Sequence, residues 1–80
     1  MSRARDVVEI VAKALAARPE SVEVTESDQR GQSVIELTMA PGELGRVIGR
    51  QGRTATALRS LAAAAGELDG VRAVVDFRDE

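Results

Sequence analysis

Gly49 and Gly52 divide a stretch that would otherwise run as one helix from Glu43 to Ala65. Glycine weakens a helix interior and takes positive φ without penalty. The pair therefore predicts two helices, one from Glu43 to about Ile48 and one from about Arg53 to Ala65, with a sharp reversal between them. In the longer helix Ala55, Leu58, Leu61, Ala62 and Ala65 recur at the spacing of one buried face, and Gly66 stands where a C-terminal cap belongs. "APGE" before the shorter helix supplies its start signal through Pro41 and Gly42.

Upstream, Val7, Ile10, Val11, Ala14 and Leu15 repeat at i, i+3, i+4, i+7 and i+8, which predicts a first helix with those residues inward. Ser2 or Asp6 caps its start. Arg18 precedes Pro19 and is biased away from helix, so this helix ends near Ala17. Val22 and Val24 then alternate with polar residues, as do Ile35, Leu37 and Met39, with "SDQRG" between them as a turn. That is an antiparallel hairpin. After the "ELDG" loop, Val71, Ala73, Val75 and Phe77 mark one face of a last strand. The order is α-β-β-α-α-β. A strand, a two-helix crossover and a strand favour parallel pairing with a right-handed connection. The expected architecture is α+β, one mixed three-stranded sheet with three helices packed on one face.

Eighty residues without cysteine or histidine make one small domain with no disulfide and no usual zinc site. No metal or other cofactor is implied. Serine and threonine have no evident activating base, so no enzyme is expected. The only long apolar run near the N-terminus is broken by Glu9 and Lys13, which argues against a secretory signal or a membrane span. A cytoplasmic location is the expectation. A chain this small has a thin stability margin, so a partner surface is also expected to help it.

Net charge is −2, yet the charges are segregated. Leu44 to Gly66 holds Arg46, Arg50, Arg53 and Arg59 and no acidic residue, so this segment is +4 and the remainder −6. Screening limits charge effects to about 10 Å, so local sign governs what a surface attracts. The glycine turn opens the longer helix, whose first N–H groups and positive dipole end face the same place as the arginines. That combination suits phosphate. A nucleotide-hydrolase loop is excluded, because Val47 stands where its first glycine belongs and Arg53 replaces its lysine.

"VIGRQGRTATALR", preceded by "PGELGR", resembles the KH signature of an apolar pair, a GxxG loop and a helix. The element order is similar to the type II KH fold, and the likeness spans the chain. It is closest to the small stand-alone bacterial KH proteins, the KhpA (YlqC) family. The resemblance implies binding of single-stranded RNA, with about four nucleotides clamped along the loop, and a role as RNA chaperone or post-transcriptional regulator. Carried over by position, Gly49, Arg50, Gln51 and Gly52 form the clamp, Val47 and Ile48 the groove floor, and Arg53 and Thr54 the helix start; Arg46 adds nearby charge. The "GELDG" loop, Gly66 to Gly70, is assigned no contact. The resemblance also implies homodimers and pairing with a larger KH-containing protein. The alternative is a protein-interaction adaptor with a vestigial groove.

Phe77 is the one aromatic residue, which excludes stacking platforms of the kind that RRM and many OB folds use. It reads as core, as does Met39. Arg59 either extends the basic strip or is simply solvated. Arg3, Arg5 and Lys13 read as solubility charges, and Gly45 as a close-packing position. Ala57, Ser60 and Ala64 form a stripe of small residues apart from the core positions of their helix.

Overall fold

The computed structural model describes residues 2–79. Helix α1 (Arg3–Leu15) is capped by Ser2, whose Oγ accepts the Arg5 N–H at 3.1 Å. Strands β1 (Glu23–Gln29) and β2 (Gln32–Met39) pair antiparallel, from Glu23 opposite Thr38 to Gln29 opposite Gln32. The turn between them is only Arg30 and Gly31, both at positive φ, which matches the twist of a tight hairpin. The five residues of "SDQRG" thus lie mostly in strand. A short helix α2 (Gly45–Ile48), the glycine loop and helix α3 (Arg53–Leu68) lead to β3 (Arg72–Asp79). β3 runs parallel to β2, and the sheet order is β1-β2-β3. Both the expected element order and the mixed sheet with its helices on one face are realised.

The core collects Val8, Val24, Ile35, Leu37, Met39, Val47, Leu58 and Val75 around closely approaching alanines. α1 turns a different face inward from the one expected. Ala4, Val8 and Ala12 are fully buried, Val7 and Val11 only partly, and Ile10 is 68% exposed. Alanine at 4 and 12 lets α1 sit close to its neighbours, and that demand overrides the larger side chains at 10 and 15; Ala14 is turned outward with them. α3 shows the same preference: Ala55, Leu58, Ala62 and Ala65 are buried, whereas Leu61 is 53% exposed.

Two boundaries also differ. α3 continues through Gly66 to Leu68, and the reversal falls at Asp69 and Gly70. Gly66 is a packing residue, since a Cβ there would meet the Ala73 Cβ at 2.9 Å and the Val71 carbonyl at 3.0 Å. α2 begins at Gly45, two residues later than expected, and Glu43, which precedes it, is engaged elsewhere. Its carboxylate is buried, and Oε1 accepts the N–H groups of Ala17 and Arg18 at 2.6 and 3.2 Å. This ties the exit of α1 to the entry of α2.

At the opposite end of α1, Asp69 accepts the Arg3 N–H at 2.9 Å and pairs with its guanidinium at 2.6 Å. Those bonds, the backbone one foremost, hold the Asp69 carboxyl below the usual aspartate range. α1 and α3 therefore run antiparallel, pinned where one starts and the other stops.

Candidate nucleic-acid interface

The loop between α2 and α3 is built from backbone geometry that few residues tolerate. Gly49 lies at φ 77, ψ 174, a region all but confined to glycine. A Cβ there would also come within 2.3 Å of the Thr54 Oγ1, so Thr54 occupies the space that glycine leaves. Gln51 and Gly52 follow in the left-handed region, at φ 58 and 73. The Gly52 N–H donates to the Gly49 carbonyl at 3.1 Å, which closes the turn on itself. The N–H groups of Arg50 and Gln51 find no backbone acceptor among the described residues. Both residues are exposed, so the apex offers two N–H donors beside a guanidinium. Arg53 donates to the Gln51 Oε1 at 3.2 Å and is steadied over the loop.

The nine residues expected at the site divide into three groups. Arg46, Arg50, Gln51 and Arg53 are exposed, while Ile48, Gly49, Gly52 and Thr54 are half-buried. Val47 is fully buried in the core. Its expected place on the groove floor is corrected accordingly: helical periodicity turns it inward, and it supports the floor from beneath while Ile48 stays at the surface.

A groove runs between α3 and β3. Two adjoining cavities of about 390 and 400 Å³ share Ala63, Arg72 and Ala73 as walls. Nearer the loop the wall includes Arg59, whose guanidinium lies 4.8 Å from the centre of the Phe77 ring. Arg59 is thus neither solvated freely nor paired with an acid; it is held on an aromatic face. Phe77, expected as core, packs on the core with one side and carries Arg59 on the other. At the far end the groove is closed by Glu67, Gly70 and Val71, so the loop assigned no contact borders it. β3 is an edge strand, and its outer backbone groups face this groove unpaired by any further strand. Ala63 and Arg72 were not singled out from sequence. The available signal was that a third strand paired to the second strand of a hairpin lies at the edge of the sheet.

Charge pairing separates this surface from the rest of the molecule. Arg3, Arg5, Lys13 and Arg78 each contact a carboxylate within 3.5 Å. Among the described residues Arg46, Arg50, Arg53, Arg59 and Arg72 contact none; they lie on α2, in the loop, at the first residue of α3 and on the groove walls. Arg18 and Arg30, at turns elsewhere, are the other two.

The model of the KhpA/KhpB KH domain matches residues 5–77 of the chain. This chain belongs to that family. It is 46% identical over 77 residues to the RNA-binding protein KhpA of Aquifex aeolicus, an alignment covering 96% of this chain and 98% of that protein. With the RNA-binding protein KhpA of Caldanaerobacter subterraneus it shares 42% over 72 residues, covering 90% and 96%. Among solved structures, Aquifex aeolicus Era bound to GDP and aluminium fluoride superposes with a TM-score of 0.61 at 19% identity. That match covers 95% of this chain and 29% of Era, and it speaks to the fold alone. No helix among the described residues is long and apolar enough to cross a membrane.

Proposed function

We propose that this chain binds single-stranded RNA, clamping about four nucleotides at Gly49–Gly52 and leading the strand along the α3–β3 groove. The observation that carries this reading is the set of five guanidinium groups without acidic partners among the described residues, on α2, around the glycine loop and on the groove walls of a chain whose net charge is negative. Phosphate is the ligand that such groups and the two free loop N–H donors suit. The names of the relatives support RNA as its source. With a single aromatic residue, bases are held by apolar contact and by the free edge of β3 rather than by stacking. The role is binding rather than turnover, as RNA chaperone or post-transcriptional regulator in the cytoplasm.

Titration of labelled single-stranded RNA against the pure protein at several salt concentrations tests this. If about two to four phosphates are neutralised, log K falls against log salt with a slope of roughly −1.4 to −2.8. A flat dependence, or no binding near about 50 mM salt, overturns it.

A second surface supports an assembly role alongside RNA binding. Ile10, Leu61 and Leu68 are 68, 53 and 74% exposed, and none of them lines the groove. We read this face as the contact for a second copy of the chain or for a larger KH-containing protein.

A further inference from the structure

Among the described residues Glu43 is the one buried side chain that carries a charge. Its Oε1 accepts the N–H groups of Ala17 and Arg18, neither of which finds a backbone acceptor. Its Oε2 is buried without any hydrogen-bond partner. No lysine or arginine pairs with it among the described residues. The carboxylate also sits just past the C-terminal end of α1, where the helix dipole opposes a negative charge. Burying a carboxylate on such terms costs stability.

What it secures is the setting of α2. That helix has four residues, too few to hold a direction by itself. The close packing expected at Gly45 is absent, since a Cβ there would meet nothing within 4 Å. Val47 in the core and Leu44 packed against it supply apolar attraction, which has no direction. A single turn held only by these is free to tilt about Val47. Glu43 removes that freedom, because hydrogen bonds weaken steeply away from their preferred angle. From Glu43 a run of backbone bonds then leads to the loop. The Arg46 N–H donates to the Glu43 carbonyl at 2.9 Å, the Gly49 N–H to the Gly45 carbonyl at 3.0 Å, and the Gly52 N–H to the Gly49 carbonyl at 3.1 Å.

We propose that Glu43 is a positioning residue for RNA binding: by fixing α2 against the end of α1, it sets the attitude of the Gly49–Gly52 turn and thereby the affinity for the strand. It touches no RNA itself. This rests on the RNA-binding reading given above. The charge alone acts in the opposite direction. Six residues of helical rise put Glu43 about 9 Å from Gly49 along the axis, within the screening length of about 10 Å, where a carboxylate repels phosphate. If position were irrelevant, removing the carboxylate would strengthen binding.

Three variants separate the two effects, each measured well below its thermal midpoint so that only folded protein is compared. Glu43→Ala removes the charge and both bonds. Its affinity for a labelled single-stranded RNA pool should fall roughly 10-fold, the scale of a lost charge-assisted bond. Glu43→Gln removes the charge but keeps an acceptor for Ala17 and Arg18. It should bind as the wild type does, or up to about 2-fold more tightly. Glu43→Asp keeps the charge and loses one methylene of reach, so it should bind more weakly than Glu43→Gln. The slope of log K against log salt should be the same throughout, since no phosphate contact is removed. Binding by Glu43→Ala that equals or exceeds the wild type overturns the proposal while leaving RNA binding intact, even if its midpoint is lowered. Should that variant fail to fold, the other two decide, and weaker binding by Glu43→Gln than by Glu43→Asp overturns it. Absence of binding by the wild type itself removes the RNA reading, and this proposal with it.

Discussion

Arg50 and Gln51 sit at the loop apex with their side chains in solvent and their N–H groups unclaimed by the backbone. Neither side chain contributes to the core, and aspartate tolerates the left-handed conformation that Gln51 adopts. The double substitution Arg50→Asp with Gln51→Asp should therefore change stability by no more than about 0.5 kcal/mol. It replaces one positive charge by two negative ones where a phosphate is proposed to lie. Like charges brought together in an interface cost several kcal/mol, so affinity for single-stranded RNA should drop by about 100-fold or more. Thermal melts establish folding and filter binding gives the affinity; a folded double variant with undiminished binding removes the loop from the site.

At the scale of elements, α1 is held at both ends by carboxylates from distant parts of the chain, Asp69 at its start and Glu43 beyond its end. The Asp69 link predicts a pH dependence. Its folded-state pKa is depressed below the ordinary value of 3.8, so its stabilisation is present above that value and is lost as pH falls through the folded one. Glu9, depressed by bonds from Arg5 and then Lys13, acts in the same direction. Asp69→Asn keeps an acceptor for the Arg3 N–H but loses the charge. Its thermal midpoint should lie below that of the wild type at pH 7, and the gap should close on acidification below about pH 4. A gap that stays constant across that range would show the charge to be irrelevant. Neither carboxylate link was legible beforehand, because each joins residues at least 25 positions apart with no periodic signature. Local features fared better: the glycine break, the hairpin alternation and four of the five arginines, all but Arg72, are written in contiguous residues. The inward face of α1 was misread for a related reason. Periodicity weights large side chains, whereas close helix packing selects Ala4 and Ala12. A groove was expected, but its walls at Ala63 and Arg72 escaped notice because they meet only where α3 lies against β3, a relation of tertiary structure.

Taken as one molecule, the chain distributes its apolar side chains in a way that favours a partner. Seven of its sixteen buried hydrophobic residues are alanines, while Ile10, Leu61 and Leu68 stand in solvent. On α3, Ala57, Leu61, Ala64 and Leu68 recur at i, i+4, i+7 and i+11, the spacing of a helix-pairing seam. The stripe first marked by Ala57, Ser60 and Ala64 is thus exposed and has two leucines within it. Helical angles place this seam on one flank of the core line through Leu58 and Ala62, and Arg59, Ala63 and Glu67 of the groove on the other. Since Arg3 meets Asp69, the antiparallel α1 brings Ile10 about level with Leu61. A symmetric dimer through this surface would leave both grooves open and bind a long RNA through two sites at once, raising avidity without a new contact. Sedimentation equilibrium at micromolar concentration should give twice the 8.5 kDa chain mass. Leu61→Glu with Leu68→Glu should return the monomer mass, keep the fold, and weaken binding to long RNA more than to short. A wild-type monomer mass that does not change with concentration refutes the homodimer, and leaves the exposed leucines to a different KH-containing chain.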